Sequence, residues 1–222
     1  SIGKELTYDD DGPAMFSLKS TGHCSEVVVA STWNPNCALL LGESVGKEGA
    51  TIGGTGWYAP GINIHRSAMG GRNFEYYSED PLISGIMGAK TAEGTMKYGV
   101  YTYAKHFVLN DQETERRGIQ VWTNEQALRE IYLKPFELYV KSGYGLGIMS
   151  SFNRIGNCWT GGSEALCTDV LRTEWGFHGV VVTDYMEPNI MNMSLGLRAQ
   201  NDLCLHRNTL NDADSVYLEA NY

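Results

Sequence analysis

Short apolar runs rich in β-branched residues alternate along this chain with longer segments of helical spacing. This alternation is typical of a parallel β-sheet covered by helices, because parallel strands are buried on both faces and need crossover helices between them. We predict strands over residues 26–30, 56–59, 100–107, 147–152, 179–184 and 202–205. The predicted fold class is α/β.

Capping residues mark the starts of the helices between these strands. Ser78, Thr123 and Ser163 each precede a segment with apolar residues at helical spacing, and each is a residue type favoured at a helix N-terminus. Pro135 predicts a kink in the second of these helices. The polar stretch over residues 107–124 follows a predicted strand and is too long for a plain connection, which indicates a functional loop.

The number of strands limits the choice of architecture. A complete (β/α)₈ TIM-type barrel usually takes ~250 residues, and this chain of 222 residues has about six predicted strands. We therefore expect one incomplete barrel domain over residues 1–222. An open doubly wound sheet is the alternative, but it predicts a glycine-rich phosphate turn, and the sequence has no G-x-G-x-x-G motif.

Charge and hydropathy argue against two classes of partner. Seventeen basic residues against 26 acidic ones give a formal net charge of -9, which does not suit nucleic acid or an anionic membrane. No segment approaches the ~20 consecutive apolar residues of a membrane span, and the first residues carry no apolar signal-peptide core. The chain does not begin with Met, which indicates a trimmed N-terminus.

The cysteine pattern predicts neither disulfides nor a metal site. Five cysteines are an odd number, and none lies in a C-x-x-C pair or at metal-ligand spacing from a histidine. We expect free, mostly buried thiols, a reducing cytoplasmic compartment, and no metal or cofactor.

Three motifs carry candidate chemistry. Residues 70–81 read GGRNFEYYSEDP, where Arg72 is either a binding group or one half of a structural ion pair with Glu75 or Asp80. Residues 105–118 read KHFVLNDQETERRG, in which Lys105 and His106 end an apolar strand.

The third motif, GFHGVVVTDY over residues 176–185, places one carboxylate, Asp184, at the tip of a buried strand. An aspartate there either caps the following helix or faces the active site of a barrel.

Together with DGPA at 11–14, APGINIHR at 59–66 and GIMSSFNRIG, these motifs resemble the catalytic barrel domain of glycoside hydrolase family 3. The resemblance runs from Asp11 to about Leu205. It implies a retaining, exo-acting β-glycosidase, with β-glucosidase as the most populated branch, acting on a small glycoside or oligosaccharide. A homo-oligomer is the one protein partner left open.

The resemblance also implies roles for individual residues. Asp184 matches the nucleophile, a role that needs an ionised carboxylate ~5 to 5.5 Å from a second carboxyl. Asp11 matches the acid that anchors the distal sugar hydroxyls. The remaining residues that match sugar-binding positions, or lie beside them, are Arg72, Lys105, His106, Arg116, Met149 and Tyr185.

Two departures from the family pattern concern the catalytic acid. The D-S-H loop of the single-domain branch is absent, and the multidomain branch takes its acid/base glutamate from a companion α/β sandwich domain that is not recognisable here. Glu113 and Glu115 are nearby carboxyls, but the resemblance assigns Glu113 to the loop scaffold. In addition, Phe152 stands where the family usually has a tyrosine.

Two other functions stay open at this point. A sugar-binding barrel without turnover would use the same pocket residues, and an aldolase-type enzyme would form a Schiff base on Lys105.

One expectation concerns the backbone. Successive strand residues point to opposite faces, yet Lys105 and His106 are both expected at the sugar. We therefore predict a distorted backbone between Ala104 and Val108, with a cis peptide bond favoured over a β-bulge.

Overall fold

The computed structural model describes residues 4–6, 18–187 and 189–205. The strands of the described residues are Lys4–Leu6 (β1), Leu18–Ser20 (β2), Gly56–Trp57 (β3), Tyr101–Phe107 (β4), Gln120–Val121 (β5), Gly147–Ser150 (β6), Arg154–Ile155 (β7), Cys158–Trp159 (β8), Val180–Tyr185 (β9) and Leu203–Leu205 (β10). The α-helices are Glu26–Ala30 (α1), Pro35–Thr51 (α2), Pro81–Met96 (α3), Glu125–Ala127 (α4), Lys134–Lys141 (α5) and Met193–Arg198 (α6). Two π-helical segments cover Leu128–Tyr132 and Ala165–Glu174, and short 3₁₀ turns cover Asn73–Glu75 and Thr160–Gly162.

The main sheet has five parallel strands in the order β10-β9-β6-β4-β3. This order follows the chain without reversal, so every crossover steps to the next strand in the same direction. A doubly wound sheet reverses its strand order at a switch point, whereas a (β/α) barrel does not. The sheet is therefore an incomplete barrel, as predicted from the number of strands.

The two faces of this sheet are packed differently. On one face, Ala104, Phe107, Ile148 and Val181 join the main core with residues of the surrounding helices. The Phe107 ring contacts Phe136 of α5 and Trp175 next to the second π-helical segment, at centroid distances of 5.2 and 6.2 Å.

The opposite face carries a smaller cluster of Tyr103, Met149 and Val182. This second face is the interior of the barrel.

One predicted strand is wrong. Residues 26–30 form helix α1 and not a strand. The buried residues Glu26, Val29 and Ala30 follow helical spacing, while Val28 between them is 52% exposed. The valine run suggested a strand, but this packing of one helical face against the core overrides the β-propensity of the run.

Two helix starts also differ from prediction. α3 begins at Pro81, because Asp80 and not Ser78 is its cap: Asp80 Oδ1 accepts from the backbone N–H groups of Leu82 and Ile83 at 2.7 and 3.0 Å. The next helical region is capped by Asn124 and not Thr123, through a 2.8 Å bond from the Ala127 N–H.

At the third predicted start, Ser163 Oγ accepts from the Leu166 N–H at 3.4 Å. The kink expected at Pro135 coincides with the break at Leu133 between the first π-helical segment and α5.

All five cysteines lie in the described part of the chain, and no disulfide joins any two of them. Only Cys167 is buried, and Cys24 and Cys158 are exposed, so the expectation of mostly buried thiols is wrong. No helix of the described residues is long and apolar enough to cross a bilayer.

Candidate active site at the strand tips

Side chains from two neighbouring parts of the sheet meet at the carboxyl ends of the strands. Lys105 has the same strand parity as Tyr103, and Asp184 has the same parity as Val182, so both belong to the interior face of the barrel. Met149 lies between them on β6, paired with Lys105 on one side and Val182 on the other. The sheet alone therefore brings a cation and a carboxylate into one pocket.

His106 joins this pocket despite its opposite strand parity. The Lys105–His106 peptide bond is cis, and the pairing of β4 with β6 shifts register between Lys105 and Phe107. A second cis bond joins Phe107 and Val108. The predicted distortion of the backbone between Ala104 and Val108 is confirmed. The His106 side chain enters the pocket, where its Nε2 lies 3.5 Å from Asp184 Oδ2.

The backbone of His106 is held on both sides by one buried side chain. Asn63 Oδ1 accepts from the His106 N–H at 2.6 Å, and Asn63 Nδ2 donates to the His106 carbonyl at 2.9 Å. Asn63 thus takes the place of a strand neighbour at the point where the regular ladder is interrupted.

Glu75 makes ion pairs with two cations of the pocket, Arg72 and Lys105. It accepts from Arg72 Nε at 2.7 Å through Oε2 and lies 2.6 Å from Lys105 Nζ through Oε1. The ion pair of Arg72 with Glu75 was one of the two interpretations of the sequence, and it is present. Asp80, the other candidate partner of Arg72, caps α3 instead.

Glu113 holds the loop that follows β4. It accepts from Arg116 Nη1 at 2.7 Å and from Asn110 Nδ2 at 3.1 Å, and Arg72 Nη1 lies 3.6 Å away. Both of its oxygens are occupied by donors of the pocket wall. This supports the scaffold role that the family resemblance gave it and leaves Glu113 poorly placed to serve as the proton donor.

Hydrogen bonds link Asn110 through Tyr76 to His106, which lies beside Asp184. Asn110 Nδ2 donates to the Tyr76 hydroxyl at 3.1 Å, and that hydroxyl lies 3.0 Å from His106 Nδ1. Burial lowers the pKa of His106 well below its usual value, and the cations Arg72, Lys105 and Arg116 lower it further.

His106 is therefore neutral, and its 3.5 Å contact with Asp184 is a polar contact and not an ion pair. With Tyr76 donating to Nδ1, the proton of the imidazole is assigned to Nε2, the nitrogen nearer Asp184.

The charge state of Asp184 reflects two opposing effects. Burial raises the pKa of its carboxyl, while a 2.6 Å hydrogen bond from the Tyr185 N–H and the charges of Arg116, Arg72 and Lys105 lower it. The net shift is upward. Asp184 is thus a partly desolvated carboxylate held among three cations.

The other predicted site residues lie at different depths. The Arg116 guanidinium stacks over the Phe152 ring at 4.5 Å, so the ring that replaces the usual tyrosine supports a pocket cation. Met149 is 3% exposed at the pocket floor, and Tyr185 is 39% exposed at its rim. Asp11 lies outside the described residues.

Sequence reasoning missed the residues that frame the pocket, namely Glu26, Asn63, Tyr76 and Asn110. Three of them stand within the quoted motifs APGINIHR, GGRNFEYYSEDP and KHFVLNDQETERRG, so motif membership was the available signal. Glu26 stands in none of them. Among the described residues, no group of three or more His, Cys, Asp and Glu side chains is arranged to hold a metal ion.

An incomplete (β/α) barrel with a polar site at its strand tips is the class of protein that this fold and site define. The model of the glycosyl hydrolase family 3 N terminal domain matches residues 6–205. The chain belongs to this family.

Curated relatives agree with this assignment. The chain is 38% identical to a β-glucosidase of Ruminococcus albus over 202 residues, which is 87% of this chain and 21% of the relative. It is 39% identical to an exo-α-(1->6)-L-arabinopyranosidase of Bifidobacterium longum over 83% of this chain and 24% of the relative. The chain thus spans about a fifth to a quarter of the length of these relatives.

Solved structures show the same fold. β-Glucosidase 3B of Thermotoga neapolitana in complex with glycerol matches 99% of this chain and 32% of its own, with a TM-score of 0.87 at 34% identity. The β-glucosidase DesR of Streptomyces venezuelae in complex with D-glucose covers 85% of this chain and 24% of its own, with a TM-score of 0.81 at 31% identity.

Proposed function

We propose that the protein carrying this chain is a retaining, exo-acting β-glycosidase, with a terminal β-glucoside as its substrate. The observation that carries the proposal is Asp184, a carboxylate at a barrel strand tip that lies 3.5 Å from neutral His106 and interacts with three cations. Relatives described as β-glucosidases, and a relative in complex with D-glucose, support this choice of substrate.

In the proposed reaction an Asp184 oxygen forms a bond to the anomeric carbon as the bond to the aglycone oxygen breaks. The aglycone leaves with a proton from an acid, and water then releases the sugar with its anomeric configuration retained. Arg72, Lys105 and Arg116 donate to sugar hydroxyls, and Tyr185 at the rim contacts the aglycone. These cations also favour the ionised form of Asp184 that attack requires.

The proton donor is proposed to lie outside this chain. Among the described carboxyls of the pocket, Glu75 is bound to Lys105 and Arg72, and Glu113 to Arg116 and Asn110. A companion domain that supplies the acid, as in the multidomain branch of the family, fits this arrangement. We therefore propose that residues 1–222 form one part of a barrel domain. We also propose that the protein acts in the cytoplasm on small glycosides.

Replacing Asp184 by Asn tests the proposal in the full-length protein. We expect hydrolysis of a nitrophenyl β-glucoside to fall at least about a thousandfold while the fold is retained, because the side chain contributes chemistry and not packing. An activated 2-fluoro-glucoside should leave one glycosyl group on Asp184 of the wild type, seen by peptide mass. Asp169→Asn, which changes an exposed aspartate, is the matched control. Undiminished turnover by the Asp184 variant would refute the assignment.

A sugar-binding barrel without turnover is the second candidate, favoured because Glu75 and Glu113 are both held in ion pairs of the pocket wall. A glucose titration beside the nitrophenyl assay separates the two, since this candidate binds glucose and leaves the substrate intact. The Schiff-base alternative is disfavoured by the 2.6 Å ion pair of Lys105 with Glu75, because this pair directs the side-chain nitrogen at a carboxylate of the pocket wall.

A further inference from the structure

We propose that Glu26 is a positioning residue of the sugar site: it holds the backbone segment that fixes Lys105, and it leaves the Lys105 ammonium to Glu75 and the sugar. This inference rests on the proposed function, because it assumes that Lys105 binds substrate. Its physical basis is a buried carboxyl that the proposed reaction does not use.

The contact that Glu26 makes is with one backbone group. Its Oε2 and Oε1 accept from the Gly61 N–H at 3.1 and 3.4 Å, although the two residues are 35 positions apart in the chain. Gly61 accepts no larger residue, because a Cβ atom there would lie 2.6 Å from the Glu75 carbonyl oxygen. Glu26 is therefore bound to a segment that has little freedom to move.

The residues on either side of Gly61 hold the backbone of Lys105. The Lys105 N–H donates to the Pro60 carbonyl at 3.0 Å, and the Ile62 N–H donates to the Lys105 carbonyl at 2.9 Å. Glu26 thus holds Gly61, the middle residue of the segment 60–62. The two outer residues of this segment hold the backbone of Lys105. A displacement of Gly61 would displace the ammonium that is to bind a sugar hydroxyl.

The surroundings of Glu26 favour its neutral form. The residue is 9% exposed, and burial raises the pKa of its carboxyl well above the usual value. The nearby charge of Glu75 acts in the same direction, while the Gly61 N–H and the Lys105 charge oppose it. The Tyr77 phenol is the other described titratable group that interacts with Glu26.

Protonation of Glu26 matters because of the charge balance at Lys105. With Glu26 neutral, Lys105 faces one carboxylate, Glu75, and retains donors for a sugar. Ionised Glu26 would add a second carboxylate that attracts the Lys105 ammonium and competes with the sugar for it. Sugar binding should therefore weaken as pH rises through the pKa of Glu26.

Glucose titrations between pH 5 and pH 9, by calorimetry on the full-length protein, test this inference. We expect the wild-type Kd to rise several-fold toward alkaline pH. Glu26→Gln, which keeps the acceptor for Gly61 and carries no charge at any pH, should bind glucose like the wild type at pH 5 and lose most of that rise. In Glu26→Asp the side chain is one methylene shorter and should not reach the Gly61 N–H. We expect this variant to raise KM at pH 5 more than it lowers kcat.

Glu79→Gln, a change at an exposed glutamate of a neighbouring segment, is the matched control and should keep the wild-type profile. If the Kd for glucose rises equally toward alkaline pH in the wild type and in Glu26→Gln, the proposed role of Glu26 is refuted and the proposed function is not. Failure of the wild type to bind glucose or hydrolyse glucosides at every pH overturns the proposed function. If Glu26→Gln does not fold, carbon NMR of glutamate-labelled wild type decides, and the absence of any protonated glutamate at pH 7 refutes the inference.

Discussion

At the scale of single residues, the site is built around a neutral histidine. His106 is 2% exposed, it lies near three cations, and it reaches Asp184 through Nε2. A charged imidazole in this place would add a fourth cation to a buried pocket, and burial disfavours it. Neutral His106 therefore lies against the Asp184 carboxylate without neutralising its charge.

Arg116 is one of three cations that lower the pKa of Asp184 against the effect of burial. Arg116→Met removes a cation that lowers the pKa of Asp184, so we expect that pKa, already raised by burial, to rise further. Because the proposed nucleophile acts only when ionised, the acidic limb of the kcat/KM profile should move to higher pH. Arg129→Met, at an exposed ion pair with Glu125, should leave the limb in place. An unshifted or acid-shifted limb in Arg116→Met would contradict this account of Asp184.

Asp111 makes stability depend on pH. Burial raises the pKa of its carboxyl to about 7, against the opposing effects of the Ile64 N–H and Arg66. A carboxyl whose pKa is higher in the folded state stabilises the protein below its unfolded pKa, and this contribution is lost as pH rises through about 7. The loss is of the order of 4 kcal/mol at most.

Asp111→Asn should therefore flatten the dependence of the free energy of unfolding on pH between pH 4 and pH 8, as measured by urea titration. The asparagine retains an acceptor for the Ile64 N–H. A wild-type dependence that persists in the variant would show that another group is responsible.

The sequence identified residues of the site better than it identified their supports. Lys105, His106 and Asp184 were predicted because each ends an apolar strand, and strand ends of a parallel sheet meet at one edge. Glu26 and Asn63 act through bonds to residues 35 and 43 positions away. Such bonds depend on how strands and loops are arranged in space, and no local pattern encodes them.

At the scale of elements, α2 and α3 pack closely through small residues. A Cβ atom at Gly46 of α2 would lie 2.7 Å from Thr95 Cα, and one at Gly94 of α3 would lie 2.6 Å from the Glu43 backbone nitrogen. Thr91 between them donates to the Ala38 carbonyl at 3.3 Å. The backbones of the two helices are therefore in direct contact.

Gly94→Ala should separate these two helices. Although alanine is the better helix former by about 1 kcal/mol, we expect a net destabilisation of about 2 kcal/mol from overpacking, because the neighbouring atoms are backbone. Urea unfolding measures it, with the exposed position Lys47→Ala on α2 as the control. A stabilised Gly94→Ala protein would show that the helices can move apart at little cost.

Element boundaries were predictable where local signals were unopposed. The strands ending at Phe107 and near Asp184 were placed within one or two residues, since both are long apolar runs. The strand predicted for residues 26–30 failed because three consecutive valine residues carry a β-signal that helix packing overrides. The short sheet of β5, β7 and β8 was missed because each of its strands has only two residues.

At the scale of the whole molecule, the order of the parallel strands defines an incomplete barrel. We expect bound glucose to raise the stability of this fold. A ligand that binds only the folded state adds about 2.7 kcal/mol at a hundred times its Kd. We expect the Tm of the full-length protein to rise with glucose, and Arg72→Ala to lose most of that rise. L-Glucose, the mirror image of the ligand, at equal concentration controls for solute exclusion. Equal shifts with both solutes would argue against a specific sugar site.

The short sheet has a consequence for engineering this scaffold. Gln120 and Val121 pair in parallel with Arg154 and Ile155, which joins the loop after β4 to the loop after β6 through backbone hydrogen bonds. The first loop carries Arg116 and the second carries Phe152, the ring beneath that guanidinium. The two loops therefore form one unit, and a graft that replaces either loop alone would break its ladder. Exchanges of substrate preference between relatives should succeed when both loops are transferred as a matched pair.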